Sequence, residues 1–337
     1  MHFIKACVIV TALLLTSLWG VCVLYFGDSA SGWTQRLSAV LFGLLGLSAL
    51  IGNWFPRWRR QLLIVYWLVF VSVLIYWLNI SPSNQRQWQA DAAKVAYATF
   101  AGDRVTVHNI RNFDYRSEFD YQSAYYTKTF DLNKLQGIDL FSVYWMGPAI
   151  AHIILSFDFG ANDHLAVSIE ARKEQGEGYS TIKGFFRQYE QIYFVADERD
   201  VIRLRTNYRH DPPEQVYLYR LQGSIENGKR LFLEYMHKIN ALHQNPAFYN
   251  TLFDNCSTAI WLLAQVNEEH PPFSWKILLS GYLPEYLYES QWLDTRVPFI
   301  QLQQQAHINS LGQAADQAAD FSARIRLNNN TLASPVN

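Results

Sequence analysis

The stretch "AHIILSFDFGANDHLAVSIEAR", Ala151 to Arg172, decides the architecture of this chain. Two apolar runs, "AHIILSFDF" and "HLAVSIEAR", flank a turn-rich "GANDH", which is the pattern of two strands closed into a hairpin. Upstream, "RVTVHNI" (104–110) alternates, and "SAYYTKTFDL" (123–132) is β-branched and aromatic. Downstream, "GFFRQYEQIYFVA" (184–196), "DVIRLRTNY" (200–208) and "EQVYLYRL" (214–221) continue the strand reading. The character then changes. "SIENGKRLFLEYMHKINALHQ" (224–244) carries Leu231, Phe232, Tyr235, Ile239 and Leu242 at helical spacing, and "FYNTLFDNCSTAIWLL" (248–263) opens a second helix. Strands first and helices after predict an α+β domain with an antiparallel sheet and a cysteine-bearing helix, over residues 95–300.

Ahead of that domain stand three apolar runs, about 3–26, 37–55 and 62–80, each near the 20 or so residues that cross a bilayer. Together they predict a membrane anchor over residues 1–80. The first run is too long for a signal peptide and no small-residue cleavage site follows it. Val21 stands where a lipoprotein attachment site at Cys22 would need a small residue. Arg57, Arg59 and Arg60 join the second and third runs, against one Asp (Asp28) and one Arg (Arg36) between the first two. The positive-inside rule then puts the N-terminus in the cytoplasm of a bacterial inner membrane and everything after Ile80 in the periplasm or outside. Residues 81–94 read as a linker. Residues 301–337, rich in Gln, Ala and Asn, read as a polar tail, helical in part or frayed.

Aromatics are 15% of the chain, charges 17%, and the net charge is −1. That balance excludes the sequence-independent grip on phosphates that nucleic-acid binding requires. Of three cysteines only Cys256 lies outside the first span, so a disulfide framework is excluded and an odd thiol faces an oxidising compartment. No glycine loop of the phosphate-cradling kind is present, and no cofactor is expected. His152, Asp158, Asp163 and His164 lack the spacing of a zinc protease, and no metal is expected either.

Cys256 follows two good N-cap residues, Asp254 and Asn255, and precedes the apolar side of a helix (Ala259, Ile260, Leu262, Leu263, Val266). In a first turn, unpaired N–H groups and the helix dipole stabilise a thiolate, and the same groups, with Asn255 and Ser257, can form an oxyanion hole. The competing reading is a packed core cysteine. A nucleophile needs a base. His108, His164, His210, His237, His243, His270 and His307 lie in polar or turn-like surroundings, whereas His152 opens an apolar strand. Glu170 on the paired strand can orient the ring, with Asp158, Asn162 and Ser168 as alternatives. Arg199, Arg203 and Arg205 can hold an anionic headgroup, or form a solvated strand face paired with Asp197, Glu198 and Asp200.

"HIILSFDF", "AVSIEAR", "ERDVIRLR", "FYNTLFDNCSTAI" and "SGYLPEYLYE", in that order, resemble the Lnb N-terminal periplasmic domain family, from about Val105 to Glu289. The resemblance implies a thiol-dependent acyltransferase-like domain, with the family's Asn-Cys pair at Asn255 and Cys256 and its histidine at His152. More widely the chain is similar to circularly permuted papain-like folds, NlpC-type hydrolases and lecithin:retinol acyltransferase-like enzymes, where the histidine strand precedes the cysteine helix. Ordinary NlpC-type enzymes have the cysteine first, and three spans at the front are an addition to the family's domain. The implied activity is acyl transfer from a phospholipid through a Cys256 thioester to an amine, with the N-terminus of a lipoprotein as acceptor. A cysteine hydrolase of the cell envelope (amidase, peptidase or lipid esterase) uses the same site, and a non-catalytic membrane receptor or assembly factor is the reading of another class.

Overall fold

The computed structural model describes residues 2–27, 32–160 and 162–327. These form two compact units. One gathers the chain up to Ser83 together with Gly178–Glu190 and Phe248–Thr251; the other holds Asn84–Glu177, Gln191–Ala247 and the chain from Leu252 onward.

In the first unit, α1 (His2–Phe26), α2 (Gly32–Gly52) and α3 (Pro56–Asn79) are each long and apolar enough to cross a membrane. Several of their leucines face outward, as Leu14, Leu15, Leu18, Leu44 and Leu68 do, which suits a lipid surround. Small residues let the helices approach: Gly20 packs on the Phe42 ring and Gly46 on Ser17. Tyr66 adds polar contacts, its hydroxyl 2.7 Å from Thr16 Oγ1 and 3.0 Å from Ser17 Oγ. Two boundaries differ from the hydropathy reading. α2 starts at Gly32, not 37, and α3 starts at Pro56, so Arg57, Arg59 and Arg60 ride on its first turns instead of forming a loop. Proline in the first turn explains the second difference, since its fixed φ suits a helix start and its missing N–H costs nothing there. Asp28, the acid of the first loop, lies outside the described residues.

The second unit is built on strands β1 (Tyr97–Ala101), β2 (Arg104–Arg111), β3 (Asp114–Tyr115), β4 (Tyr121–Gln122), β5 (Tyr125–Asp131), β6 (Gly137–Tyr144), β7 (Ala151–Asp158), β8 (His164–Arg172), β9 (Glu190–Ala196) and β10 (Gln215–Arg220). The main sheet runs β1-β2-β9-β8-β7-β6-β10, with β5 also on β2; β3 and β4 form a separate pair. It is mixed, not purely antiparallel, because β2 meets β9 in parallel at Arg111–Ala196.

Helices cover both faces. Ile153, Leu155 and Phe157 of β7 join a core with α5 (Ile225–Gln244) and α6 (Cys256–Ala264), followed by α7 (Trp275–Leu278) and α8 (Leu283–Glu289). Ile154 and Ala166 point to the other core, shared with α4 (Glu198–Arg203) and the C-terminal segment. Two covered faces explain why β7 reads as a continuous apolar run instead of an alternating one.

Three expectations need revision. "DVIRLR" is helical: α4 runs on into a π turn, Leu204–Tyr208, because acids in its first turn and arginines at its end suit a helix dipole while Val201 and Ile202 are buried. Residues 84–94 are packed against the sheet, where Arg172 donates to Ala92 O (2.9 Å) and lies over the Trp88 ring. The tail is ordered through Leu327 as α9 (Phe299–Ala306), α10 (Asn309–Ala314) and α11 (Phe321–Arg324), and buries Leu302, Ile308, Ala315, Phe321 and Ile325. Residues 328–337 lie outside the described residues.

Arg326 ties this segment down. Its Nη2 donates to Asp139 Oδ2 at 2.7 Å and its Nη1 to Glu198 Oε2 at 2.7 Å, all three groups buried. Burial alone would raise the Glu198 carboxyl, but the guanidinium outweighs it and holds the group down to about 2. Arg326→Ala leaves the buried Glu198 carboxylate without its cation, while Asp139 keeps Arg220 at 2.7 Å, so it is expected to cost about 3–5 kcal/mol. Urea unfolding of the detergent-solubilised chain, followed by circular dichroism, checks this. A loss below about 1 kcal/mol would mean the pair behaves like an exposed one.

Candidate active site

The site forms where α6 begins. Asn255 caps it: its Oδ1 accepts from the Thr258 N–H at 3.0 Å, and Thr258 Oγ1 accepts from the Asn255 N–H at 3.1 Å. This reciprocal box fixes the first turn, of which Cys256 is the first residue. The thiol is buried, and the Ile153 N–H of β7 donates to Sγ at 3.4 Å. The first-turn N–H groups of Cys256 and Ser257 have no partner within the helix by their position, so they are available to an oxyanion.

His152 sits at the start of β7, one residue before the Ile153 N–H that reaches the sulphur, and its ring lowers the thiol's value. Strand register supplies the third group. Ile154 pairs with Ser168, so two residues on, the same register sets His152 across from Glu170. Nε2 of His152 is 2.7 Å from Ser168 Oγ and 3.1 Å from Glu170 Oε1. Ser168 donates to Glu170 Oε1 at 2.8 Å. The site thus brings together Cys256, His152, Glu170 and Ser168. Asp158 and Asn162 are elsewhere: Asp158 is near His164 at the far end of the strands, and Asn162 bonds Ala319 and Ala323.

Behind Glu170 lies a chain of charges that the sequence did not announce. Arg205 Nη2 donates to Glu170 Oε1 at 2.8 Å, and its Nη1 is 3.3 Å from Glu214, which Arg209 also holds. Burial alone would discharge the His152 ring. Glu170 outweighs that, aided by Cys256 and opposed by Arg205, and the ring is raised to about 9. Burial would likewise raise the Cys256 thiol, but the imidazolium and the Ile153 N–H prevail and its value is lowered. Glu170 itself is held well below the usual carboxylate range despite burial, chiefly by His152 and then Arg205. Both shifts favour a thiolate–imidazolium pair over the neutral one, the form in which a cysteine is nucleophilic.

The remaining candidates have other duties. Ser257 Oγ donates to Ile277 O at 2.6 Å, anchoring α6 to α7. Arg203 is buried against Asp114 and Arg205 against Glu170 and Glu214, while Arg199 lies 3.8 Å from Asp114. Arg203 and Arg205 are thus buried on a packed helix and π turn instead of an open strand face, and Arg199 is the partly exposed one of the three. A motif whose job sequence reading missed is "SG" at 280–281. Ser280 Oγ donates to Ala151 O at 2.6 Å and accepts from the Ala151 N–H at 3.1 Å. Gly281 donates to Ala149 O at 3.0 Å, at a place where a Cβ would strike the Pro148 carbonyl. Together they clamp the strand that presents His152.

Residues 121–281 match the family model of the Lnb N-terminal periplasmic domain. This supports the family on a shorter span than the motifs suggested, one that still contains His152, Glu170 and Cys256 and ends at the Ser280–Gly281 clamp. Together with three helices long and apolar enough to cross a membrane, the match supports a membrane protein carrying a periplasmic domain. No curated protein and no solved structure matches it.

Two further features complete the site's surroundings. A cavity of about 320 Å³ is lined by Leu155, Ile260, Trp261, Leu283 and Leu287, and reaches Ser257 beside the nucleophile. At the far end of the hairpin, ligand atoms of Asp139, Asp158 and His164 lie within 4.8 Å of one another, a donor set that suits a cation. Arg220 and Arg326 already pair with those carboxylates, so the cluster is neutralised from within.

Proposed function

We propose that this chain is a membrane-anchored, cysteine-dependent acyltransferase working on the periplasmic side of a bacterial inner membrane. The observation that carries the reading is the Cys256–His152–Glu170 array at a capped helix start, its thiol and imidazole buried. The Cys256 thiolate attacks the ester carbonyl of a phospholipid, while first-turn N–H groups of α6 receive the developing oxyanion. The tetrahedral species collapses to a thioester as the ester C–O bond breaks, and the His152 imidazolium gives its proton to the departing alkoxide. An amine, the N-terminus of a lipoprotein, then attacks the thioester. Neutral His152 takes the amine proton, an amide forms, and the thiolate leaves.

Several features support parts of this account. A histidine strand that precedes the cysteine helix suits a circularly permuted, papain-like plan related to NlpC-type enzymes. The apolar cavity beside Ser257 favours an acyl chain over a polar cell-wall peptide, since fully burying a CH₂ is worth about 0.8 kcal/mol. The three arginines at the start of α3 favour a cytoplasmic loop between the second and third spans, which leaves the domain outside.

Intact-mass spectrometry of the solubilised chain after incubation with phospholipid tests the proposal. The expected product is a single acyl adduct on Cys256, released by hydroxylamine. An adduct formed with peptidoglycan fragments and not with phospholipid would turn the reading to an amidase.

A further inference from the structure

One segment of the region between β8 and β9 packs with the spans. Residues 178–190, "GYSTIKGFFRQYE", belong to the same unit as α1, α2 and α3. Phe186 stacks on Phe26, the last residue of α1, with ring centroids 5.9 Å apart. Arg187 caps the end of α3, its Nη1 donating to Trp77 O at 2.9 Å and lying 3.3 Å from Leu78 O and 3.4 Å from Ile80 O. Its guanidinium also lies 4.1 Å over the Trp77 ring. Trp77 O also accepts from the Ile80 N–H at 3.3 Å, and a cation at this helix end complements the dipole.

The segment is internally braced. Tyr189 OH donates to Gly178 O at 2.7 Å and accepts from the Ser180 N–H at 3.0 Å. Thr251 Oγ1 donates to Thr181 O at 2.8 Å, and Tyr249 N donates to Tyr189 O at 2.9 Å. Arg187 takes a left-handed φ of 58°, a conformation a long side chain adopts only when its surroundings over-determine it. On this braced loop Ile182 is 54% exposed, Phe185 41% and Tyr179 49%. Ile182 caps the 3-10 turn Lys183–Phe185 and Phe185 ends it, a spacing of three that puts their side chains on one side.

We infer that residues 178–190 form a membrane-surface anchor, with Ile182 and Phe185 inserted among the lipid headgroups and upper acyl chains. The place follows from the contacts. α1 and α3 of a three-span bundle run the same way, so Phe26 and Trp77–Ile80 mark the same face of the bilayer. A loop bonded to both ends lies at the interface, the level where aromatic rings and amphipathic side chains concentrate. The exposed residues belong to the same compact unit as the spans, whose outward leucines suit a lipid surround. A protein partner fits less well: a few side chains fall far short of the ~800 Å² each partner contributes to a stable interface.

The test uses the full chain in lipid vesicles, with Cys7→Ser, Cys22→Ser and Cys256→Ala as background. A single cysteine is placed by Ile182→Cys or Phe185→Cys and labelled with the fluorophore NBD. Leu78→Cys, at the end of α3, serves as the membrane reference. Both loop labels are expected to emit blue-shifted from their position in water, and to be quenched by lipids nitroxide-labelled near the glycerol more than by lipids labelled deep in the chain. Water-like emission without quenching at 182 and 185, beside a quenched label at 78, overturns the inference and leaves the patch for a protein partner. An unquenched reference at 78 overturns it too, because the spans would then not lie in the bilayer. None of these readouts requires enzymatic activity, so the proposed chemistry and this anchor can fail separately.

Discussion

Cys256→Ala is expected to abolish acyl transfer, with a loss on the order of 10⁴- to 10⁶-fold when the nucleophile of such a unit is removed. The side chain is small and its loss leaves Asn255, Thr258 and Ser257 to cap and anchor α6 as before, so the fold should survive. Cys256→Ser should be nearly as inactive. A hydroxyl ionises far above a thiol, and the His152–Ile153 surroundings that hold a thiolate cannot bring an alkoxide into range. Lipoprotein N-acylation, read by mass spectrometry of the acceptor's N-terminal peptide, measures both variants. Unchanged acylation in either one would exclude thioester chemistry at this residue.

Much of this site was legible because its signals are local. Asn255 before Cys256 before an apolar run is an N-cap and a first turn, and a histidine opening an apolar strand is out of place unless it is used. The third member was not decidable on that basis. Glu170, Ser168, Asp158 and Asn162 all stood near the hairpin in sequence, and only the register of β7 on β8 separates the first two from the others. The charges behind Glu170 were hidden for the same reason: Arg205 reaches it from a π turn, over a separation in sequence that no short motif spans.

The misreadings of fold have comparable causes. "DVIRLR" carries apolar residues next to one another and at every second place, a pattern a short buried helix and a strand share. The Gln/Ala/Asn-rich tail holds few apolar residues, but Leu302, Ile308, Ala315, Phe321 and Ile325 are spaced so that short helices turn nearly all of them inward. In "GFFRQYEQIYFVA" two duties share one apolar run. Its second half is β9 in the sheet, while Phe185, Phe186 and Arg187 belong with the spans. Composition could not divide that run, since aromatic residues suit a strand and a membrane interface equally.

Glu170→Gln is expected to lower kcat/KM by about 10²- to 10⁴-fold, the span that correct acid–base positioning commands. The sign follows from the groups around His152. Burial opposes the charged ring and Arg205 does too; Glu170 is the main counterweight that lifts it to about 9. Without the carboxylate, the ring falls below its present value, and the thiolate–imidazolium pair is less populated at neutral pH. The rate profile should record this directly. In the parent chain the thiolate–imidazolium pair persists from the lowered Cys256 value up to about 9, where the ring loses its proton and the rate declines. In the variant that alkaline limb moves to lower pH, and Glu170→Asp should restore part of both rate and limb. A profile of phospholipid deacylation between about pH 6 and about pH 10, spanning ordinary histidine and thiol values, makes the comparison. An alkaline limb that stays near 9 in the glutamine variant would show that Glu170 does not govern the histidine. Ser168, which also touches Nε2, would then be the group that orients the ring.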